Sequence, residues 1–151
     1  KYFRMKKILF VCHGNICRSP MAEFVLKDLA KKARLDDLII ASAGTSTEEL
    51  GCDTHYGTKK ELKAHNIEFF PRHARQVAKN EYENWDIFVV MDSANKRNLE
   101  RIFGGDPQGK IAKMMSFVGS SADVADPWYT GNFELTFSDI YKACKALLEQ
   151  I

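Results

Sequence analysis

A chain of 151 residues, 45% hydrophobic and 28% charged, has the make-up of a folded globular protein. One core at this length can bury roughly 68–70% of the surface that the unfolded chain exposes. A formal charge of +2 with no dense Lys/Arg block argues against a polyanion binder, so no nucleic acid is expected as a partner. No apolar run approaches the ~18–20 residues that span a bilayer, and Ile8-Leu9-Phe10-Val11 is too short for a signal sequence. No membrane partner is expected either.

Lys1 to Arg4 precede Met5, which reads as the natural start, so those four residues are set aside. The rest reads as one domain over 1–151, with no repeat, low-complexity tract or linker. Four cysteines, Cys12, Cys17, Cys52 and Cys144, occur without a secretory signal. That combination points to reduced thiols in the cytoplasm, and to thiol chemistry rather than a disulfide scaffold.

In chain order, Lys7 to Val11 is a continuous apolar run, the mark of a strand buried on both faces. A short polar segment follows Cys12. A helix is then predicted with Ser19 as its cap and Pro20 at its first position. Met21, Val25, Leu29 and Ala33, flanked by Ala22, Leu26 and Ala30, form its apolar stripe. Leu38 to Ser42 reads as a second strand closed by an Ala43-Gly44-Thr45-Ser46 turn, and Thr58 to His65 as a helix. Trp85 to Met91 is the third strand. Asp92-Ser93 caps a helix running to Phe103, which Gly104-Gly105 stops.

A last short strand falls within Ile111 to Val118, and residues 119–131 form a long loop. Phe137, Ile140, Tyr141, Cys144, Leu148 and Ile151 mark an amphipathic final helix. This alternation predicts an α/β fold: three layers, with a central four-stranded parallel sheet in flavodoxin-like order 2-1-3-4 and helices on both faces. Ligands of such sheets bind beyond the carboxyl ends of the strands. Cys12, Ser42, Asp92 and the loop carrying Asp126 all follow strand ends, so they should converge.

The segment Cys12-His13-Gly14-Asn15-Ile16-Cys17-Arg18-Ser19 joins a buried strand to a helix N-terminus. Such a loop aims backbone N–H groups at one point, where the helix dipole adds positive charge. Gly14 and Asn15 are residue types that tolerate the left-handed backbone of an anion-binding nest. Arg18 supplies a planar fork for two phosphate oxygens. A thiol at a helix N-terminus beside a cation ionises far more readily than a free one, which makes Cys12 the candidate nucleophile. Ser19 can donate a hydrogen bond to its sulfur.

Cysteine, five residues, arginine and serine is the signature of cysteine phosphatases. In the form Cys-His-Gly-Asn-Ile-Cys-Arg-Ser-Pro-Met-Ala-Glu near the N-terminus, it closely resembles the low-molecular-weight protein tyrosine phosphatases. Ser42-Ala43-Gly44-Thr45, His73-Ala74-Arg75-Gln76-Val77 and Val90-Met91-Asp92 extend the resemblance over nearly the whole chain. It implies hydrolysis of phosphotyrosine in protein substrates through a cysteinyl-phosphate. Phosphate or another oxyanion would bind at residues 12–18, with no cofactor and no metal.

A departing phenolate needs a proton, and the family's Asp-Pro-aromatic motif carries the acid's role onto Asp126 of Asp126-Pro127-Trp128-Tyr129. Trp128 and Tyr129 would then flank the substrate ring, and an acidic activity optimum is expected. The resemblance also implies that Asn15 bonds Ser42 to hold the loop in shape, with Arg72 as support. Asp92 and Arg75 read as structural.

Some positions depart from the family. His13 stands where an apolar or small residue is common and reads as a solvated rim residue. Glu48 falls where many members carry an aromatic wall. His55 and Gly57 replace the usual Asp and Arg. Cys17 has two open readings: a partner for a reversible disulfide with Cys12, or a space-filler behind the loop. Cys144 reads as core and Cys52 as a loop residue.

Three rival readings fit the sequence less well. A thioredoxin-coupled arsenate reductase of the same fold would need further mid-chain cysteines, and none lies between Cys52 and Cys144. A protein arginine phosphatase would tend to carry Thr where Ile16 stands. A zinc site at Cys12, His13 and Cys17 lacks a fourth ligand.

Overall fold

The computed structural model describes residues 6–151, so the expectation about Lys1–Arg4 and Met5 lies outside the described residues. Four strands, β1 (Lys7–Cys12), β2 (Ile39–Gly44), β3 (Ile87–Val90) and β4 (Ile111–Lys113), form one sheet in the order 2-1-3-4. Every pairing is parallel, with Phe10 opposite Ser42 on one side and Val89 on the other. The fold class and strand order are those the sequence predicts.

Because side chains alternate along a strand, β1 feeds two cores. Ile8, Phe10 and Cys12 face a layer made by α1 (Arg18–Lys32) and α5 (Phe133–Glu149), through Met21, Phe24, Val25, Ile140 and Leu147. Leu9 and Val11 face the opposite layer, where Leu99 of α3 (Ser93–Phe103) joins Val77, Tyr82 and Phe88. Two buried faces explain the unbroken apolar run of β1. A shorter helix, α2 (Tyr56–Ala64), lies on the α1/α5 side through Leu62.

Several local expectations are corrected. The first helix starts at Arg18, with Cys17 in the cap position, so Ser19 and Pro20 fall inside its first turn. Proline costs no hydrogen bond there, because the first four N–H groups of a helix have no internal partner. Ser19 is thereby released from capping and used by the site. From Arg18 to Leu26 every residue of α1 is buried, so burial extends beyond the expected apolar stripe to Ser19, Glu23 and Phe24.

The second helix begins at Tyr56 rather than Thr58, capped by His55. The last strand is only three residues, followed by a 3-10 turn over Met114–Val118. Inside the expected loop sits a one-turn helix, α4 (Pro127–Thr130), capped by Asp126. The capping of α3 by Asp92 and its end at Gly104 match expectation. Among the described residues no helix is long and apolar enough to cross a membrane.

Candidate active site

The site is the loop from β1 to α1. Five of its carbonyls bond to the surrounding frame. Cys12 accepts from the Thr45 amide, His13 from Ser46, Ile16 from His55 and Cys17 from the Thr58 hydroxyl, while Asn15 accepts from Arg72. With the carbonyls so engaged, the intervening amides are turned to the concave side, as an anion nest requires. Gly44 permits this approach, since a Cβ there would lie 2.7 Å from the His13 carbonyl oxygen.

Asn15 holds the loop's shape. Its backbone is left-handed, at φ 59°, and it is fully buried. Gly14 does not share that conformation, so the expectation of two left-handed residues is corrected to one. The Asn15 Nδ2 donates to Ser19 Oγ at 2.8 Å and Ser42 Oγ at 3.0 Å. Its Oδ1 accepts from the Arg75 amide at 3.1 Å and from Arg72 Nη2. All four hydrogen-bonding positions of the amide are filled.

The Ser42 hydroxyl donates to Glu23 Oε1 at 2.6 Å, and Glu23 is paired with Lys27. Ser19 Oγ, already an acceptor from Asn15, lies 3.0 Å from Cys12 Sγ and can donate its hydrogen to a thiolate there. A rigid polar chain thus ends on the sulfur. Burial lowers the Arg72 guanidinium from its usual value, against the pull of Glu23, Cys12 and Asp53. An arginine remains charged regardless.

Arg18 is anchored along one edge. Its Nη1 donates to Asp92 Oδ2 and to the Val124 carbonyl, both at 2.8 Å, whereas Nη2 reaches Asp126 Oδ2 only at 3.4 Å. Burial alone would lower its value. The neighbouring Cys12, Asp126 and Asp92 outweigh that and raise it. Asp92, read as structural, is therefore the residue that fixes the arginine.

Cys12, His13, Gly14, Ile16, Cys17, Arg18, Glu48, Asp126, Trp128 and Tyr129 line one pocket, joined by Glu49, which the sequence reading missed. Asn15, Ser19 and Ser42 stand behind it. Asp126 caps α4 through the Trp128 amide at 3.1 Å, which ties its carboxyl group to the segment carrying Trp128 and Tyr129. Trp128 and Tyr129 are largely exposed, at 55% and 83%, leaving their faces open at the pocket mouth.

His13 is a solvent-exposed rim residue, as expected, and it has a partner there. Its Nε2 lies 3.2 Å from Glu48 Oε1, so two departures from the family pattern are partners on the rim. Cys17 is buried with Ile16, Ala74 and Phe133, and its thiol is pushed up to about 12, chiefly by burial and then by Cys12 and Asp126. Cys144 is core and Cys52 exposed, as expected. Among the described residues no cluster of three or more His, Cys, Asp or Glu side chains is placed to hold a metal ion.

His55 also escaped the sequence reading as a site residue, though its departure from the family pattern was a visible signal. It stacks on Phe133 and meets Trp128 edge-on.

The arrangement can bind a tetrahedral oxyanion against a thiol with a carboxyl group opposite. Known proteins agree with that chemistry. The YfkJ low molecular weight protein-tyrosine-phosphatase of Bacillus subtilis is 41% identical over 150 residues, covering 97% of this chain and 96% of its own. Its crystal structure superposes with a TM-score of 0.92 at 40% identity, covering 100% and 97% of the two chains. The Staphylococcus aureus phosphatase PtpA is 35% identical over 148 residues, 97% of this chain and 94% of its own. A Drosophila arginine phosphatase superposes at a TM-score of 0.87 with 30% identity, covering 95% and 96%. Residues 7–151 match the family model described as low molecular weight phosphotyrosine protein phosphatase, and the chain belongs to that family.

Proposed function

We propose that this protein hydrolyses phosphotyrosine in protein substrates, with Cys12 as nucleophile, Arg18 as phosphate clamp and Asp126 as acid, then base. The supporting observation is the Ser19–Cys12 contact of 3.0 Å, at the centre of a loop whose pocket also holds Arg18 and Asp126. The Cys12 thiolate attacks phosphorus, forming S–P as the ester P–O bond breaks. Arg18 and the loop amides hold the equatorial oxygens, and Asp126 gives its proton to the leaving phenolate.

A water then loses a proton to Asp126 and attacks phosphorus. The S–P bond breaks and inorganic phosphate leaves. Ser19, donating to the sulfur, makes Cys12 the better leaving group in that second step. Fixed donors and Arg18 supply the positive charge, so no step is routed through a metal. Trp128 and Tyr129 flank the ring, with His13 and Glu48 at the rim. The single sheet shared by both cores supports one domain over 1–151, and four unpaired cysteines support a cytoplasmic setting.

Phosphoarginine is the second reading, because an arginine phosphatase shares the fold. Ile16 in the pocket wall favours the aromatic ester. Wild type and Cys12→Ser should be assayed on phosphotyrosine, phosphoserine, phosphoarginine and arsenate with chelator present. Phosphotyrosine should be turned over fastest by wild type and not at all by Cys12→Ser. Turnover surviving in that variant, or needing metal, refutes the mechanism.

A further inference from the structure

We infer that His55 is a positioning residue for the acid, its ring seating the Asp126–Trp128 turn against the phosphate loop; this rests on the acid role proposed for Asp126. His55 belongs to both halves of the site. Its backbone N–H donates to the Ile16 carbonyl at 2.8 Å, tying it to the phosphate loop. Its ring lies between Phe133 and Tyr56, with centroids 5.2 and 4.9 Å away and planes within 20° and 25°.

Trp128 meets the same ring in a T-shaped contact, at 5.7 Å and 79°. Such edge-to-face geometry is the favoured one for aromatic pairs. Trp128 is the residue whose amide bonds Asp126 Oδ1, so fixing the indole fixes the carboxyl group. The indole is otherwise half-exposed.

The imidazole is itself held from two sides. Its Nδ1 accepts from the Gly57 amide at 3.0 Å, which sets the ring orientation as α2 begins. Phe133 can lie flat against it only because residue 57 is glycine, since a Cβ there would fall 2.5 Å from the phenyl ring. Phe133 in turn packs on Ile16, Cys17 and Ala74, behind the phosphate loop. His55 and Gly57, the two departures from the family pattern in this segment, are therefore parts of one stack.

The test separates positioning from folding by leaving group. A displaced acid forfeits part of the ~10²–10⁴-fold that general acid catalysis supplies. That loss grows as the leaving phenol becomes more basic. kcat/KM should be measured on phenyl phosphate and on p-nitrophenyl phosphate for Asp126→Asn, His55→Asn and His55→Phe. Asparagine keeps a capping acceptor but removes the ring, and phenylalanine keeps the ring without the acceptor.

We expect His55→Asn to lose about tenfold on phenyl phosphate and under about threefold on the nitro compound. His55→Phe should restore the ratio, and His55→Asn should add no further bias in the Asp126→Asn background. Should His55→Asn fail to fold, Gly57→Ala and Phe133→Leu disturb the same stack and carry the same comparison. An equal loss on both substrates, or none, overturns the inference. A bias in Asp126→Asn with none in the stack variants overturns the inference alone. No bias in Asp126→Asn overturns the acid reading and this inference with it.

Discussion

Replacing Asn15 by alanine should be among the most destabilising changes in the chain, although its side chain touches no substrate in the proposed mechanism. The amide makes four hydrogen bonds, two as donor to Ser19 and Ser42 and two as acceptor from the Arg75 amide and Arg72. Each neutral bond contributes about 0.5–1.5 kcal/mol net, and one to a charged group about 1.5–3 kcal/mol. Arg72 and the two hydroxyls keep other partners, so the losses do not sum in full. Holding alanine at φ 59° costs a further ~1–2 kcal/mol that asparagine partly avoids.

Together these give about 4 kcal/mol, which at ~2–4 °C per kcal/mol lowers Tm by roughly 8–16 °C for a chain of this size. Asn15→Gly isolates the backbone term, because glycine accepts left-handed φ but makes none of the side-chain bonds. It should fall about 1 kcal/mol short of the alanine loss. Urea unfolding of both variants, with and without inorganic phosphate, measures the difference. A loss under about 1 kcal/mol in Asn15→Ala refutes the frame argument, whatever happens to activity.

Asp92→Ala should cost about 3–5 kcal/mol, because it strips a buried arginine of its partner and removes the cap of α3. Phosphate should recover part of that loss in urea melts. Glu81 sits below its usual value: burial works to raise it, and bonds from Arg75, the Ala78 amide and Trp85 outweigh burial. A depressed folded value stabilises above the unfolded value near ~4.3 and is lost as pH falls through the folded one. Melting curves of wild type and Glu81→Gln should therefore differ most above about pH 5 and converge as pH falls through the depressed folded value. Native alkylation with iodoacetamide, read by mass spectrometry, should modify exposed Cys52, leaving Cys17 and Cys144 unmodified until denaturant is added.

The β1 run, the capped α3 and the convergence of strand ends were legible because each rests on local pattern: apolar continuity, a capping aspartate, alternation of elements. The loop motif was legible for a similar reason, since its residues are contiguous. What escaped the sequence lies between segments far apart in the chain. Nothing near Asp92 announces that it would anchor Arg18, 74 positions earlier. Glu48 and His13 read as separate oddities because their contact joins two loops across the pocket mouth. Ser19 shows how a local rule can mislead: serine before proline is a strong capping signal, but the helix starts earlier and the hydroxyl turns to the sulfur.

A site of this kind needs positive potential in a chain whose net charge is only +2, and the potential comes from orientation rather than composition. The carbonyls of Cys12, His13, Asn15, Ile16 and Cys17 are all engaged by donors in the surrounding frame. Each such bond holds a peptide dipole with its amide toward the pocket. Arg18 follows the same design: one nitrogen is committed to Asp92 and Val124, leaving the free edge of the fork at a fixed angle. A lysine at that position would keep the charge and lose the fixed edge. Donors held by the frame in this way leave little to reorganise when charge develops on the phosphoryl oxygens in the proposed reaction. The side chains that enforce this order, Asn15, Arg72, Ser42 and Asp92, matter to the chemistry through the shape they impose.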